Sequence, residues 1–281
     1  MITRRQVGRG AWRLAQRQSQ SRGQSYTTAT REAAAASKSQ ARKWGAGSIA
    51  GLALFGVASG SVGAAAAWKT LRAQGLGFYS DEESLSRYSV PDDDAEARRV
   101  YQAIEAHPLV AELRQRPNLT ESRPHVKMPA AFRRQSLTGN ALSGPRRVPV
   151  PAIAWNEADG KSVTLIVYVG DELCGHPGLV HGGFLATLLD EGLAWCCFAA
   201  LPHGIGVTAR LAIDYRKPTP ANSLLVLRGE TVKVEGRKAW VKGSVELLPQ
   251  AGDEGKEPVV VAEAEALYVS PRHAAMMPRL R

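Results

Sequence analysis

The chain has 281 residues, 44% of them hydrophobic, and sets 36 Lys and Arg against 26 Asp and Glu for a formal charge of +10. Ten of those bases and one acid lie in residues 1–43, so that segment carries +9 and the other 238 residues only +1. A basic surface spread over a folded domain is thereby excluded, and nucleic acid with it as the expected partner. The length allows one or two domains with a sizeable core. Cys174, Cys196 and Cys197 form no disulfide framework, which fits a reducing compartment or indifference to redox state.

Residues 1–43 are rich in Arg, Ser, Gln and Thr, with no acid before Glu32. This is the composition of a mitochondrial transit peptide with a basic linker, and processing is expected near Ser25. From Trp44 to Trp68 there are 25 residues without a charge or a histidine. As a helix they would span roughly 37 Å, against a hydrocarbon core of about 30 Å. A tryptophan at each end suits the two interfaces, so 44–68 is predicted to be a single transmembrane helix.

Residues 69–147 read as a helical and proline-rich adaptor. Asp92-Asp93-Asp94 should start a helix running through Ala106, with Val100, Ile104 and Leu109 on its apolar stripe. Residues 117–151 hold six prolines and should wrap or link with little regular structure of their own.

The pattern changes at the folded domain, placed at 148–271 with a tail over 272–281. Residues 152–156, 161–169, 207–216, 223–234, 238–247 and 258–269 read as strands. In the third, alternation puts Val207, Leu211, Ile213 and Tyr215 on one face and Thr208, Arg210, Ala212 and Asp214 on the other. Glu235-Gly236-Arg237 is a hairpin turn. The one strong helix, from His181 to about Leu201, is apolar nearly all round and has to be enclosed by protein. The expected architecture is an α+β roll, an antiparallel sheet wrapped around one long central helix. Asp190 is an unpaired carboxylate on that helix, costly to keep unless it serves something. Glu191 falls on a different face, where pairing or a rim position is expected. Cys196 and Cys197 read as small core residues. His176 and His181 without further ligands make a poor zinc site.

Leu173-Cys-Gly-His-Pro-Gly-Leu-Val-His-Gly-Gly-Phe-Leu-Ala-Thr-Leu-Leu-Asp190 resembles the signature of the hotdog-fold thioesterase superfamily. Val207-Thr-Ala-Arg-Leu-Ala-Ile-Asp-Tyr-Arg-Lys-Pro and Val234-Glu-Gly-Arg-Lys-Ala-Trp-Val fit the same family in order and spacing. The set, covering roughly residues 150–270, looks most like the eukaryotic mitochondrial acyl-CoA thioesterases. The resemblance implies hydrolysis of fatty acyl-CoA to free fatty acid and CoA, with Asp190 as general base or nucleophile. Gly182 would offer its N–H to the oxyanion at the positive end of the helix, and His181 and Gly183 would lie against the thioester. Thr208 would orient the attacking water, meeting Asp190 of a second subunit across a sheet-edge interface. Arg237 and Lys238 are the most attractive cations for the phosphates of coenzyme A. No cofactor is expected, coenzyme A being part of the substrate. The implied assembly is a homodimer or dimer of dimers. With the span, it is expected at the mitochondrial inner membrane, the catalytic domain facing the intermembrane space. The alternative reading is a non-catalytic hotdog module that binds acyl chains or a partner protein there.

Overall fold

A computed structural model of the chain describes residues 46–73, 78–249 and 256–277. The expected targeting segment 1–43 and Trp44 lie outside them. The chain divides into two units, Met1–Ala67 and Trp68–Arg281. The described part of the first is the bulk of helix α1, Ala46–Ala73, 28 residues in all. Its stretch Ala50–Leu71 has a mean hydropathy of 1.6 and no buried share. It is long and apolar enough to cross a membrane.

The second unit is built on a seven-stranded antiparallel sheet. In chain order the strands are β1 (Leu119–Ser122), β2 (Ile153–Glu157), β3 (Ser162–Val169), β6 (Val207–Tyr215), β7 (Ser223–Glu235), β8 (Lys238–Leu247) and β9 (Val259–Val269). They lie side by side in the order β1-β2-β3-β7-β8-β9-β6. Two short strands, β4 (Cys174–His176) and β5 (Leu179–Val180), form a separate hairpin. β-branched and alternating residues make the longer strands, as the periodicity predicts, while β1, β4 and β5 fall outside that expectation. The β7–β8 turn uses Gly236 at φ +56, the left-handed region that a tight hairpin requires.

The sheet's two faces are covered by different helices. Helices α2 (Ala95–Glu105) and α3 (Pro108–Arg114) lie on the outer face. Asp94 caps α2 by accepting from the Ala97 N–H, and Pro108 opens α3 at a position where no N–H is needed. Their Val100, Ile104, Val110 and Leu113 pack on Trp155, Ile166 and Val226 of the sheet. Residues 95–114, within the expected adaptor, therefore pack on the sheet. Residues 117–151 also carry more regular structure than their prolines suggest, since β1 lengthens the sheet by one strand. Arg123, just beyond β1, is buried, donates to the Pro151 carbonyl at 2.6 Å and lies 4.8 Å from the Tyr88 ring. The cation–π contact and the bond to Pro151 tie the segment to the stretch before α2 and to the one leading into β2.

The inner face holds helix α4, Gly182–Cys197. Leu185, Leu189, Leu193, Cys196 and Cys197 are buried against Leu165, Leu225, Leu227, Val241 and Val245. Burial of each leucine contributes about 1.5–3 kcal/mol. The helix approaches closely because Gly229 and Gly243 face each other on β7 and β8. A Cβ on Gly243 would stand 2.5 Å from a Leu193 methyl, and one on Gly229 at 2.9 Å. Only half of α4 is enclosed in this way. Thr187, Asp190, Ala194 and Phe198 remain partly exposed along one flank.

Candidate active site

The site is assembled where the N-terminal turns of α4 meet the edge strand β6. His181 caps the helix, its Nδ1 accepting from the Gly183 N–H at 2.8 Å. A neutral His181 ring so engaged carries its proton on Nε2. The same bond uses the Gly183 N–H, and among the described residues the Gly182 N–H has no acceptor. It lies at the positive end of a 16-residue helix, where a developing oxyanion is stabilised. The β4–β5 hairpin presses on the cap. A Cβ on Gly175 would come within 2.8 Å of the His181 ring, so the close approach needs a glycine there. His176 sits in that hairpin, opposite Leu179, and shapes it with Pro177 and Gly178.

Asp190 stands two turns further along α4. Its Oδ1 accepts from the Thr208 hydroxyl at 2.7 Å. Two expectations about Thr208 are overturned here. The contact lies within one chain, whereas a pairing between subunits was expected. Thr208 also shares a face with Leu211, Ile213 and Tyr215, not with Arg210 and Asp214. The register explains the second change. Arg210 pairs with Leu267 and Thr208 with Tyr268, leaving Ala209 as the extra residue of a β-bulge. The bulge turns Thr208 inward toward α4 and Val207 outward, where it is 48% exposed.

Two tyrosines that the motif pattern did not single out complete the site. Tyr215 donates its hydroxyl to the Gly182 carbonyl at 2.9 Å, and its ring stands over the Gly182 Cα. Tyr268 donates to the Asp190 carbonyl at 2.7 Å. Burial holds the Tyr268 phenol well above its usual range, so it stays a donor. The signal for Tyr215 was its place on the alternating inner face of β6. For Tyr268 it was the alternation of β9, read only as a strand.

Arg237 and Lys238 are not brought to the Asp190 side. Lys238 pairs with Val269, itself opposite Val207, on the outer face. Arg237 is committed to the Ser270 carbonyl at 2.6 Å. Glu191 is paired: it accepts from the Thr138 hydroxyl at 2.8 Å and lies 3.0 Å from His125 Nε2. Cys196 and Cys197 are buried, and burial pushes their thiols up to about 11 and about 12. Neither supplies a thiolate nucleophile at neutral pH. Among the described residues no cluster of three or more His, Cys, Asp or Glu could hold a metal ion.

An antiparallel sheet around one central helix is the hotdog thioesterase fold. The chain belongs to the thioesterase superfamily, which its residues 177–251 match, and is a thioester hydrolase. It is 33% identical over 183 residues to a UPF0644 protein of Schizosaccharomyces pombe, covering 65% of this chain and 69% of that one. A Candida albicans protein described as mitochondrial is 30% identical over 156 residues, 56% of this chain and 69% of its own length. Acyl-coenzyme A thioesterase THEM4 of Rattus norvegicus is 39% identical over 118 residues. That match covers 42% of this chain and 46% of THEM4.

Proposed function

We propose that the protein hydrolyses fatty acyl-CoA to free fatty acid and CoA. The observation that carries this reading is the Thr208–Asp190 pair at 2.7 Å beside the open Gly182 N–H. The similarity to an acyl-coenzyme A thioesterase supports the choice of substrate. The thioester carbonyl accepts from the Gly182 N–H, which polarises it and stabilises the oxyanion as it forms. Asp190, held by Thr208 and by Tyr268 through its carbonyl, takes a proton from water as the water oxygen bonds to the acyl carbon. Collapse of the tetrahedral intermediate breaks the C–S bond. The proton held by Asp190 passes to the CoA sulfur, leaving the acid and free thiol.

A homodimer formed through β6 accompanies this reading. β6 is an edge strand, with Val207 and Tyr215 exposed at 48% and 54%. A partner strand there would pair its free backbone groups and close the site. The apolar α1 supports anchoring in a membrane, and the Candida albicans relative's description supports mitochondria. The inner membrane, with the catalytic domain toward the intermembrane space, is the placement that an N-terminal targeting segment followed by one span favours.

The test is release of free CoA thiol from a panel of acyl-CoAs by the full chain, beside Asp190→Asn and Thr208→Ala. Turnover that both substitutions leave unchanged would overturn the mechanism.

A further inference from the structure

The charge of residues 44–281, only +1 in total, is unevenly placed. Residues 122–156 hold six bases and no Asp or Glu, so they carry +6 and the rest of that stretch −5. Four of the six bases are engaged. Arg123 is buried against Tyr88, Lys127 pairs with Asp81 at 2.6 Å, and Arg146 and Arg147 pair with Asp171 and Glu172. Among the described residues, Arg133 and Arg134 have no carboxylate partner. They close a one-turn helix, Ala130–Arg133, whose Phe132 is 46% exposed. A wider turn follows, Leu137–Ala141, and its Leu137 is 56% exposed. Ser136 accepts from the Gly139 N–H at 3.0 Å, and Asn140 donates to the Arg134 carbonyl at 3.1 Å, so the two turns hold each other in place.

This surface is tied to the end of α1. Phe132 stacks on Phe78, with ring centroids 5.7 Å apart and planes 18° off parallel. Phe78 follows Ala73, the last residue of α1, by five positions, so at most about 18 Å of chain separates them. The next residue, Tyr79, is buried, donates its N–H to the Lys127 carbonyl at 2.9 Å and has the Arg87 guanidinium 3.6 Å over its ring. The chain leaving α1 is thus fastened at once to the basic segment.

We propose that residues 129–141 are a membrane-docking surface, with Phe132 and Leu137 entering the lipid interface and Arg133 and Arg134 meeting anionic phospholipid headgroups. The proposal rests on the reading above that α1 anchors in a bilayer. Large apolar side chains beside cations are the composition that settles in the interface, and each arginine near an anionic surface strengthens the contact about fivefold. The short tether keeps Phe78, and Phe132 with it, within reach of the headgroups on whichever side α1 delivers the domain. A second copy of the chain meeting this face with its own would set like charges against each other, which favours lipid as the occupant. Thr138 in the second turn donates to Glu191 at 2.8 Å, so the docked surface lies one hydrogen bond from the helix that carries Asp190.

The experiment places a photoreactive benzophenone side chain at Phe132, at Leu137 or, as a control, at Gln102, which is exposed on α2 at the other face of the sheet. Each full-length chain is reconstituted into phosphatidylcholine vesicles with and without phosphatidylglycerol and irradiated, and its adducts are identified by mass spectrometry. The expected result is phospholipid adducts at Phe132 and Leu137, none at Gln102, and a higher yield with the anionic lipid. Arg133→Glu/Arg134→Glu should lower that yield about fivefold or more on anionic vesicles. Arg134→Glu alone carries this arm should the double variant fail to fold. No lipid adduct at either position in a chain that resists alkaline washing, or adducts to a second copy in place of lipid, overturns the docking surface alone. A yield that neither phosphatidylglycerol nor the charge reversals change overturns it too. A chain that washing strips from the vesicles overturns the anchoring reading, and the surface falls with it.

Discussion

Thr208 reaches Asp190 at 2.7 Å because Ala209 is the extra residue of a bulge in β6. Without the bulge, strict alternation would send the Thr208 hydroxyl to the outer face of the sheet and Val207 toward α4. The exchange Val207→Thr/Thr208→Val therefore keeps composition and moves the hydroxyl to the wrong face. It is expected to lower kcat by the same factor as Thr208→Val alone, with Thr208→Ser retaining most activity. Steady-state kinetics of the three variants check this, and full activity in the exchange would mean that Val207 faces α4.

Tyr268 acts on the site through the Asp190 backbone. Tyr268→Phe removes a second donor to a part-buried carbonyl inside α4, at a cost of about 0.5–1.5 kcal/mol. The expected outcome is a lower melting temperature together with a lower kcat, since Asp190 loses one of its two supports. A variant that melts early but keeps wild-type kcat would reduce Tyr268 to a packing residue.

The close seat of α4 on the sheet depends on Gly243. A methyl there meets both Leu193 and the Arg228 carbonyl, and overpacking of this kind costs about 1–3 kcal/mol. Chemical denaturation of Gly243→Ala should show that loss. The same substitution at Gly236 meets nothing within 4 Å and instead carries the strain of φ +56.

Acid should weaken the packing of α2 and α3 through His107. Its Nδ1 accepts from the Leu109 N–H at 3.2 Å, and burial holds the ring below its ordinary value of 6.5. The unfolded chain therefore binds the proton first. The stabilisation is complete above about pH 6.5 and is lost as pH falls through the lower folded value. The melting temperature should drop between pH 7.5 and pH 5 in wild type, and less in His107→Asn, which can still cap.

Much of this molecule was legible in its sequence, and the parts that were not have physical causes. The strands of the core and the start of α4 followed from alternation and from His181-Gly182-Gly183, because local patterning decides them. The inward turn of Thr208 did not, since a bulge is a difference in length between two strands and shows only when they are paired. β1 was hidden among prolines because an edge strand of four residues gains its stability from β2, not from its own propensity. Arg237 and Lys238 had the right charge, but cross-strand register, unknown from one strand, carries Lys238 to the outer face. Tyr215 and Tyr268 were visible as strand residues. Their hydrogen bonds to Gly182 and Asp190 join positions 33 and 78 residues apart.

The central claim is that Asp190 activates water against a thioester polarised at the start of α4. The measurement that tests it most directly is kcat for acyl-CoA hydrolysis by the full-length Asp190→Asn variant, alongside its melting temperature. Asparagine keeps the shape and can still accept from Thr208, but it cannot take a proton. The expected result is a melting temperature like that of wild type with kcat lower by about 10²–10⁴. A well-folded Asp190→Asn protein that releases CoA at the wild-type rate would contradict the account.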